Sequence, residues 1–461
     1  MELNNYRRFH CVGIGGIGLS AIAEILLSRG MKVSGSDIKE SQVTEMLRGL
    51  GANIHIGHSA DNLGDAEVLI YSAAVSLENP EILRAKERGI PCVTRAEALG
   101  GLMSDYELSI AISGTHGKTT TTSMVGLILQ NAGLSPTVLV GGMLNEFHSN
   151  VVVGASEYFV TEACEYMDSF LSLSPRVEII LNIDSDHLDY FRDINHIAMS
   201  FEKFASSVPA NGFVVAFDSN PFVKAVTSKL DCKVVNFGFN EESEYYAGDI
   251  DFNRQGMPQY TIYKYGERLI EIQLGVPGEH NIVNSLAAAA SCLELGVQPA
   301  VVKETLESFK GTRRRFDVIG KSDEGVSIVD DYAHHPTEVK ATLAAAKKLD
   351  HKKIWCLFQP HTYTRTIALM DEFAASFNDA DVVVLSEIYA ARENNIHKIS
   401  SKVLMEKIVE RSPGKEIYFF ADFDEIASFV RENARSGDLV ITMGAGDIYM
   451  VGELILEKCK E

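Results

Sequence analysis

Cysteine is sparse and unpatterned here: seven residues (Cys11, Cys92, Cys164, Cys232, Cys292, Cys356, Cys459), odd in number and without a C-x-x-C pair. That argues against a disulfide framework or a structural zinc site, and makes a reducing compartment the expectation. No apolar run reaches the roughly 18–20 residues that span a bilayer, and the start MELNNYRRFHCVGIGG lacks a signal-peptide pattern. Positive charge is in deficit, with 42 Lys and Arg against 63 Asp and Glu and a net charge of −21. Such a surface repels a nucleic-acid backbone unless its cations are strongly localised. Low-complexity linkers and short repeats are also missing. With 46% hydrophobic and 23% charged residues in 461, the chain reads as a folded, cytoplasmic, multi-domain enzyme of two to four units.

Three segments emerge, each opening with an apolar run that ends in a glycine-rich or polar turn. The first runs from Phe9-His10-Cys11-Val12 through Gly13-Ile14-Gly15-Gly16-Ile17-Gly18 into a helix with Leu19, Ile22, Ala23 and Leu26 on one face. Strands follow at 31–37, 67–71 and 91–94. The second opens with a strand over 108–113, a glycine turn and a helix through Met124, Leu127 and Ile128. Its later strands are predicted at 158–161, 177–183 and 213–217, with antiparallel hairpins over 236–277 and an alanine-rich helix over 280–295. Strands at 327–329, 354–358, 382–385, 417–420 and 439–442 alternate with helices in the third. This α/β alternation predicts mostly parallel sheets, with domains over 1–106, 107–312 and 313–461.

The strongest local signal is Gly114-Thr115-His116-Gly117-Lys118-Thr119-Thr120 between a strand and a helix. Free backbone N–H groups at such a turn grip phosphate oxygens, Lys118 adds a point charge, and the Thr119 hydroxyl suits Mg²⁺. The spacing departs from GxxxxGK[ST], because Ile112 stands where the first glycine belongs. Carboxylates after neighbouring strands (Glu162 and Glu165; Asp184, Asp186 and Asp189, with His187) are candidate metal and substrate contacts. Gly13-x-Gly15-x-x-Gly18 with Asp37 fits a pyrophosphate-binding turn, which a nicotinamide dinucleotide or a UDP-sugar would satisfy. Among Arg313, Arg314 and Arg315, one can face transferring phosphate charge. Asp330 to Pro336 and Gln359 to Arg365 each follow a strand end, bringing His334, His361 and Arg365 to one sheet edge.

The ordered set GIGGIGLSAIAEILLSRG, VSGSD, GTHGKTTTT, EACEYMDSF, NIDSDHLDYF, GEHNIVNSLAAAA, FKGTRRRFD, DDYAHHPTEVKAT, FQPHTYTRT and ITMGAGDIY resembles the Mur ligase family over nearly the whole chain. The resemblance implies a Rossmann-like N-terminal domain, a central P-loop ATPase and a Rossmann-like C-terminal domain. It also implies ATP and Mg²⁺, with UDP-N-acetylmuramate and L-alanine as partners, no nucleic acid, no membrane insertion, and a monomer or weak homodimer. A sister ligase adding another amino acid or a peptide is the neighbouring alternative. Carried over by position, Gly114, Thr115, His116, Gly117, Lys118, Thr119 and Thr120 hold the nucleotide phosphates. His280, Asn281 and Asn284 meet the adenine, and Asp331 the ribose. Arg315 faces the phosphates, and Thr119, Glu162 and His187 the metal. His334, His361 and Arg365, with Tyr332 nearby, surround the acyl phosphate and the incoming amine. Gly15, Gly16, Ile17, Gly18, Ser20, Asp37 and Ser72 lie along the UDP-sugar. Thr362 departs from relatives that carry arginine there, and Lys203 is about one residue out of register with the lysine that sister ligases carbamylate.

Overall fold

Three sheets follow one another along the chain in the computed structural model, which describes residues 3–144, 149–253 and 256–457. Cys459 lies outside the described residues. The first sheet contains β1 (Arg8–Val12), β2 (Lys32–Asp37), β3 (Asn53–Ile56), β4 (Val68–Tyr71) and β5 (Cys92–Thr94). All its pairings are parallel, in the order β3-β2-β1-β4-β5. Helices α1 (Ile17–Ser28), α2 (Gln42–Gly49) and α3 (Pro80–Glu87) lie between these strands, and α4 (Arg95–Met103) follows β5. The expected face of α1, from Leu19 to Leu26, is buried against this sheet.

Among the described residues the second sheet has ten strands, and the expected phosphate loop, 114–120, follows its strand β6. It comprises β6 (Leu108–Ser113), β7 (Thr137–Leu144), β8 (Ser149–Val152), β9 (Tyr158–Glu162) and β10 (Val177–Ile180). It continues with β11 (Phe213–Phe217), β12 (Lys233–Gly238), β13 (Tyr245–Phe252), β14 (Pro258–Lys264) and β15 (Glu267–Gln273). The sequence reading has no counterpart to β7 and β8. The strand expected over 177–183 stops at Ile180, because Asn182 turns its side chain to the phosphate loop instead of extending the ladder. The antiparallel strands do not begin at once after residue 236: β12 pairs in parallel with both β11 and β13. β13, β14 and β15 then form one antiparallel edge of this sheet, and β8, antiparallel to β7, forms the other. Helices α5 (Lys118–Asn131), α6 (Ile194–Ala205), α7 (Pro221–Thr227), α8 (Glu279–Glu294) and α9 (Pro299–Ser308) pack on it. The run Ala287–Ala290 is wholly buried, its methyl-sized side chains letting α8 lie close to α5 within one core.

The third sheet has the order β16-β17-β21-β18-β19-β20. Its strands are β16 (Asp317–Lys321), β17 (Ser327–Asp331), β18 (Ile354–Phe358), β19 (Val382–Leu385), β20 (Glu416–Phe419) and β21 (Leu439–Met443). Short and partly exposed β16 is antiparallel to β17 and absent from the sequence expectation; the other pairings are parallel. Six helices cover it: α10 (Pro336–Lys347), α11 (Tyr363–Ala368), α12 (Met370–Ala374), α13 (Ser401–Arg411), α14 (Phe423–Asn433) and α15 (Tyr449–Glu457). The ends of β6, β9 and β10 face those of β17 and β18, so both sheets offer their ligand-binding edges to one cleft.

Candidate active site

The expected phosphate loop is held from behind by Asn182. Asn182 accepts from the His116 N–H at 2.8 Å and donates to the His116 carbonyl at 3.0 Å. Lys118 opens α5 and folds over the loop, donating to the Gly114 and Thr115 carbonyls and to Glu165 at 2.9 Å. Burial opposes the lysine's charge, but the Glu165 carboxylate outweighs it and raises the lysine's pKa. The second Glu165 oxygen is buried without a hydrogen-bond partner and lies 4.0 Å from His187 Nε2.

Three adjoining cavities line the cleft. One of about 520 Å³ is walled by Gly117, Thr120, His280, Asn281, Asn284 and Asp331, with Phe217 and Phe222 supplying apolar faces. A second, about 440 Å³, holds Thr115, Lys118, Thr119, Glu162, His187, Tyr332 and His334. Gly117, Arg315 and Glu338 are shared by these two. The third, about 580 Å³, contains Ser72, Arg95, Tyr166, His361, Thr362, Arg365, Arg392 and Glu393, and shares Cys164, Asp186 and His187 with the second. His187 (φ +53°) and Thr362 (φ +65°) are both left-handed, a conformation that non-glycine residues keep only where packing enforces it.

Across the cleft, Asp331 accepts from the Phe316 and Ala333 N–H groups at 2.8 and 2.7 Å. Burial outweighs nearby Arg315 and pushes its carboxyl up to about 6. Arg313, Arg314 and Arg315 all line the second cavity, but the Arg314 guanidinium is tied to Asp330 and to the Gly444 and Gly446 carbonyls. The His334 and His361 rings lie 5.7 Å apart, and Arg365 bonds His361 at 3.1 Å and Asp186 at 3.0 Å. Burial, reinforced by Arg365, brings His334 down to about 3 and His361 to about 4, so both are neutral. Burial opposes charge on Asp186, yet Arg365 and the surrounding imidazoles hold it well below the usual carboxylate range.

In the first domain Ile17 reaches the second cavity and Ser72 the third one. Gly18 lines a smaller cavity with Ile17, Arg95 and Asn150. Gly15, Gly16, Ser20 and Asp37 line none of these. The Gly15 N–H instead donates to Asp37 at 2.8 Å, and the buried Ser20 hydroxyl donates to the Ile17 carbonyl.

Comparison with known proteins agrees with this geometry domain by domain. Residues 8–107 match the family described as Mur ligase family, catalytic domain; 112–292 match the Mur ligase middle domain; and 314–446 match the Mur ligase, glutamate ligase domain. The chain belongs to the Mur ligase family. Among Mur ligases, it is 48% identical over 461 residues to the UDP-N-acetylmuramate–L-alanine ligase of Caldanaerobacter subterraneus subsp. tengcongensis, covering 100% of both chains. It is 47% identical to the enzyme of that name from Alkaliphilus metalliredigens, covering 99% of this chain and 98% of the relative. The solved UDP-N-acetylmuramate-alanine ligase of Thermotoga maritima superposes with a TM-score of 0.82 at 33% identity, covering 98% of each chain. A murein peptide ligase from Psychrobacter arcticus, at 24% identity and TM-score 0.74 over 98% of each chain, shares the fold.

Against that family frame, Lys203 is an exposed residue of α6. Thr362 caps α11, and its N–H donates to the Tyr389 carbonyl at 2.8 Å. Sequence reasoning missed Asn182, Arg95, Arg392 and Glu338. Only Glu338 carried a signal, since it stands three residues after His335, where a helix-capping acid belongs. His116, Asp184 and His335 cluster as metal ligands would, but each is already engaged: His116 by Asp184 and Glu338, Asp184 by Thr337, and His335 by the Ser185 carbonyl and the Thr337 N–H.

Proposed function

We propose that this protein ligates L-alanine to the lactyl carboxylate of UDP-N-acetylmuramate at the expense of ATP, in peptidoglycan precursor synthesis. The observation that carries this reading is the chain of three cavities with shared walls. A base-sized apolar pocket opens on a cationic phosphate site, which opens on a third chamber at the far end of His187 and Asp186.

A carboxylate is a poor electrophile, and phosphorylation gives it a leaving group. The carboxylate oxygen attacks the γ-phosphorus, the bond to the β-phosphate oxygen breaks, and ADP leaves. The amine then adds to the acyl carbon, and the tetrahedral adduct expels phosphate and loses a proton to give the amide. Lys118 and Arg315 sit where phosphate charge develops. Neutral His334 can accept a hydrogen bond from the amine, and Arg365 can take a carboxylate. Thr119, Glu162 and His187 would hold Mg²⁺, for which the unpartnered Glu165 oxygen beside them is a further hard donor, and the ion would neutralise phosphate charge. Asn281, Asn284 and His280 would surround the adenine, and Ile17, Gly18 and Ser72 the sugar nucleotide. We place the domain boundaries at 106/107 and 312/313, and the protein in the cytoplasm as a monomer or weak homodimer. No helix among the described residues is long and apolar enough to cross a membrane.

The test is phosphate release from ATP with UDP-N-acetylmuramate and each amino acid or short peptide in turn, with ¹⁸O in the lactyl carboxylate. Alanine should give the highest kcat/KM, and one label should appear in inorganic phosphate. Unlabelled phosphate would defeat the acyl-phosphate route, and preference for a peptide would reassign the acceptor.

A further inference from the structure

One side chain touches both halves of the cleft. Glu338, 13% exposed in its side chain, lies in the first turn of α10 on the C-terminal domain. One of its oxygens meets His116 Nδ1 of the central domain's phosphate loop at 3.3 Å and lies 3.8 Å from Arg315. Its other oxygen accepts from the His334 N–H at 3.0 Å and the His335 N–H at 3.3 Å, and is 3.3 Å from His334 Nδ1.

We propose that Glu338 is a positioning residue that locks the phosphate loop to His334, holding the ATP site and the amine site in register. This rests on the ligase reading above and names the part that couples its two halves.

Helix capping accounts for only part of this arrangement. A capping side chain at this position needs an acceptor for backbone N–H groups, and an uncharged glutamine serves. Here the carboxylate also faces the His116 imidazole and the Arg315 guanidinium, both walls of the nucleotide cavities. Rigid anchors stand behind each partner. His116 is clamped through its backbone by Asn182 and through Nε2 by Asp184 at 3.3 Å. His334 Nδ1 also meets the Tyr332 carbonyl at 3.0 Å, which leaves Nε2 as the available ring nitrogen in the phosphate cavity. Two parallel struts fix the spacing: Thr337 donates to Asp184 at 2.8 Å, and His335 Nε2 meets the Ser185 carbonyl at 2.9 Å. A carboxylate set between two such frames transmits position from one to the other, because neither end can relax independently.

The experiment is a double-mutant cycle in the full-length enzyme with Glu338→Gln and His116→Gln. Glutamine at 338 keeps the cap and removes the charge; glutamine at 116 mimics Nε2 toward Asp184 and drops the Nδ1 contact. We expect each single change to lower kcat about 10- to 100-fold in protein that remains folded. The double mutant should fall no further than the weaker single, a coupling of about tenfold or more. Effects that multiply, or Glu338→Gln turnover within about twofold of wild type, overturn the lock. Should Glu338→Gln fail to fold, the charge is structural only if His116→Gln turns over normally, and the proposal then fails; a His116→Gln loss of about tenfold or more sustains it. The same cycle read on ADP affinity by calorimetry needs no acceptor. A wild-type enzyme that releases no phosphate therefore defeats the ligase reading while the lock is still measured.

Discussion

Gly117 is the point where the phosphate loop is least tolerant of a side chain. It caps α5 with φ +89°, and a Cβ there would collide with Asn284 Oδ1 and come within 3.1 Å of Leu181 Cδ1. In Gly117→Ala, the left-handed backbone costs about 1–2 kcal/mol. Displacing Asn284 breaks its 3.0 Å hydrogen bond to Asn281, about 1 kcal/mol more. The variant loop escapes both costs by leaving the binding conformation, so the penalty falls on ligand affinity. About 2–3 kcal/mol corresponds to ADP binding weaker by about 30- to 140-fold. Gly133, at the other end of the same helix, is the internal control. It has φ +77° but nothing within 4 Å of where a methyl group would stand, so Gly133→Ala carries only the backbone cost. Isothermal calorimetry with ADP, beside thermal unfolding, separates the two. Gly133→Ala should lower the melting temperature and leave ADP affinity intact, whereas Gly117→Ala should do the reverse. Equal ADP affinity in Gly117→Ala and wild type would refute the steric reasoning, as would equal losses in both variants.

Three further outcomes follow from the same site. Lys118→Ala should lower turnover at saturating ATP about 100- to 1000-fold, because a preorganised cation on developing phosphate charge is lost; near-normal turnover would remove Lys118 from phosphoryl transfer. Glu162→Gln should shift the Mg²⁺ titration of activity to higher concentration while the Gly141 N–H keeps its acceptor; an unchanged titration curve would take Glu162 out of the metal site. Burial opposes charge on His116, but Asp184 and Glu338 outweigh it and raise the imidazole from 6.5 to about 9. A raised folded-state value stabilises fully below pH 6.5 and is lost as pH climbs through about 9. The wild-type melting temperature should therefore fall between pH 7 and 10 more steeply than that of His116→Gln. Parallel curves would show that the charged imidazole does not support the domain contact.

Local chemistry determined much of this protein from the sequence alone. Strand–turn–helix patterns at residues 9–26 and 108–128, the alanine-rich α8 and the polar strand ends at Asp331 and Gln359 are each legible because burial and backbone demands are met within a short segment. The sequence also separated three such units and put the chemistry on their turns. Tertiary structure decided what a short segment cannot encode. An apolar run shows that a strand is buried and not which neighbour it pairs with, so parallel β12 and antiparallel β16 emerged only from the sheets. Likewise a carboxylate's function depends on the charges brought to it. Asp186 meets Arg365 from 179 residues away and Glu338 meets His116 from 222. Coulombic partnership is set by distance through space, and no spacing along the chain records it.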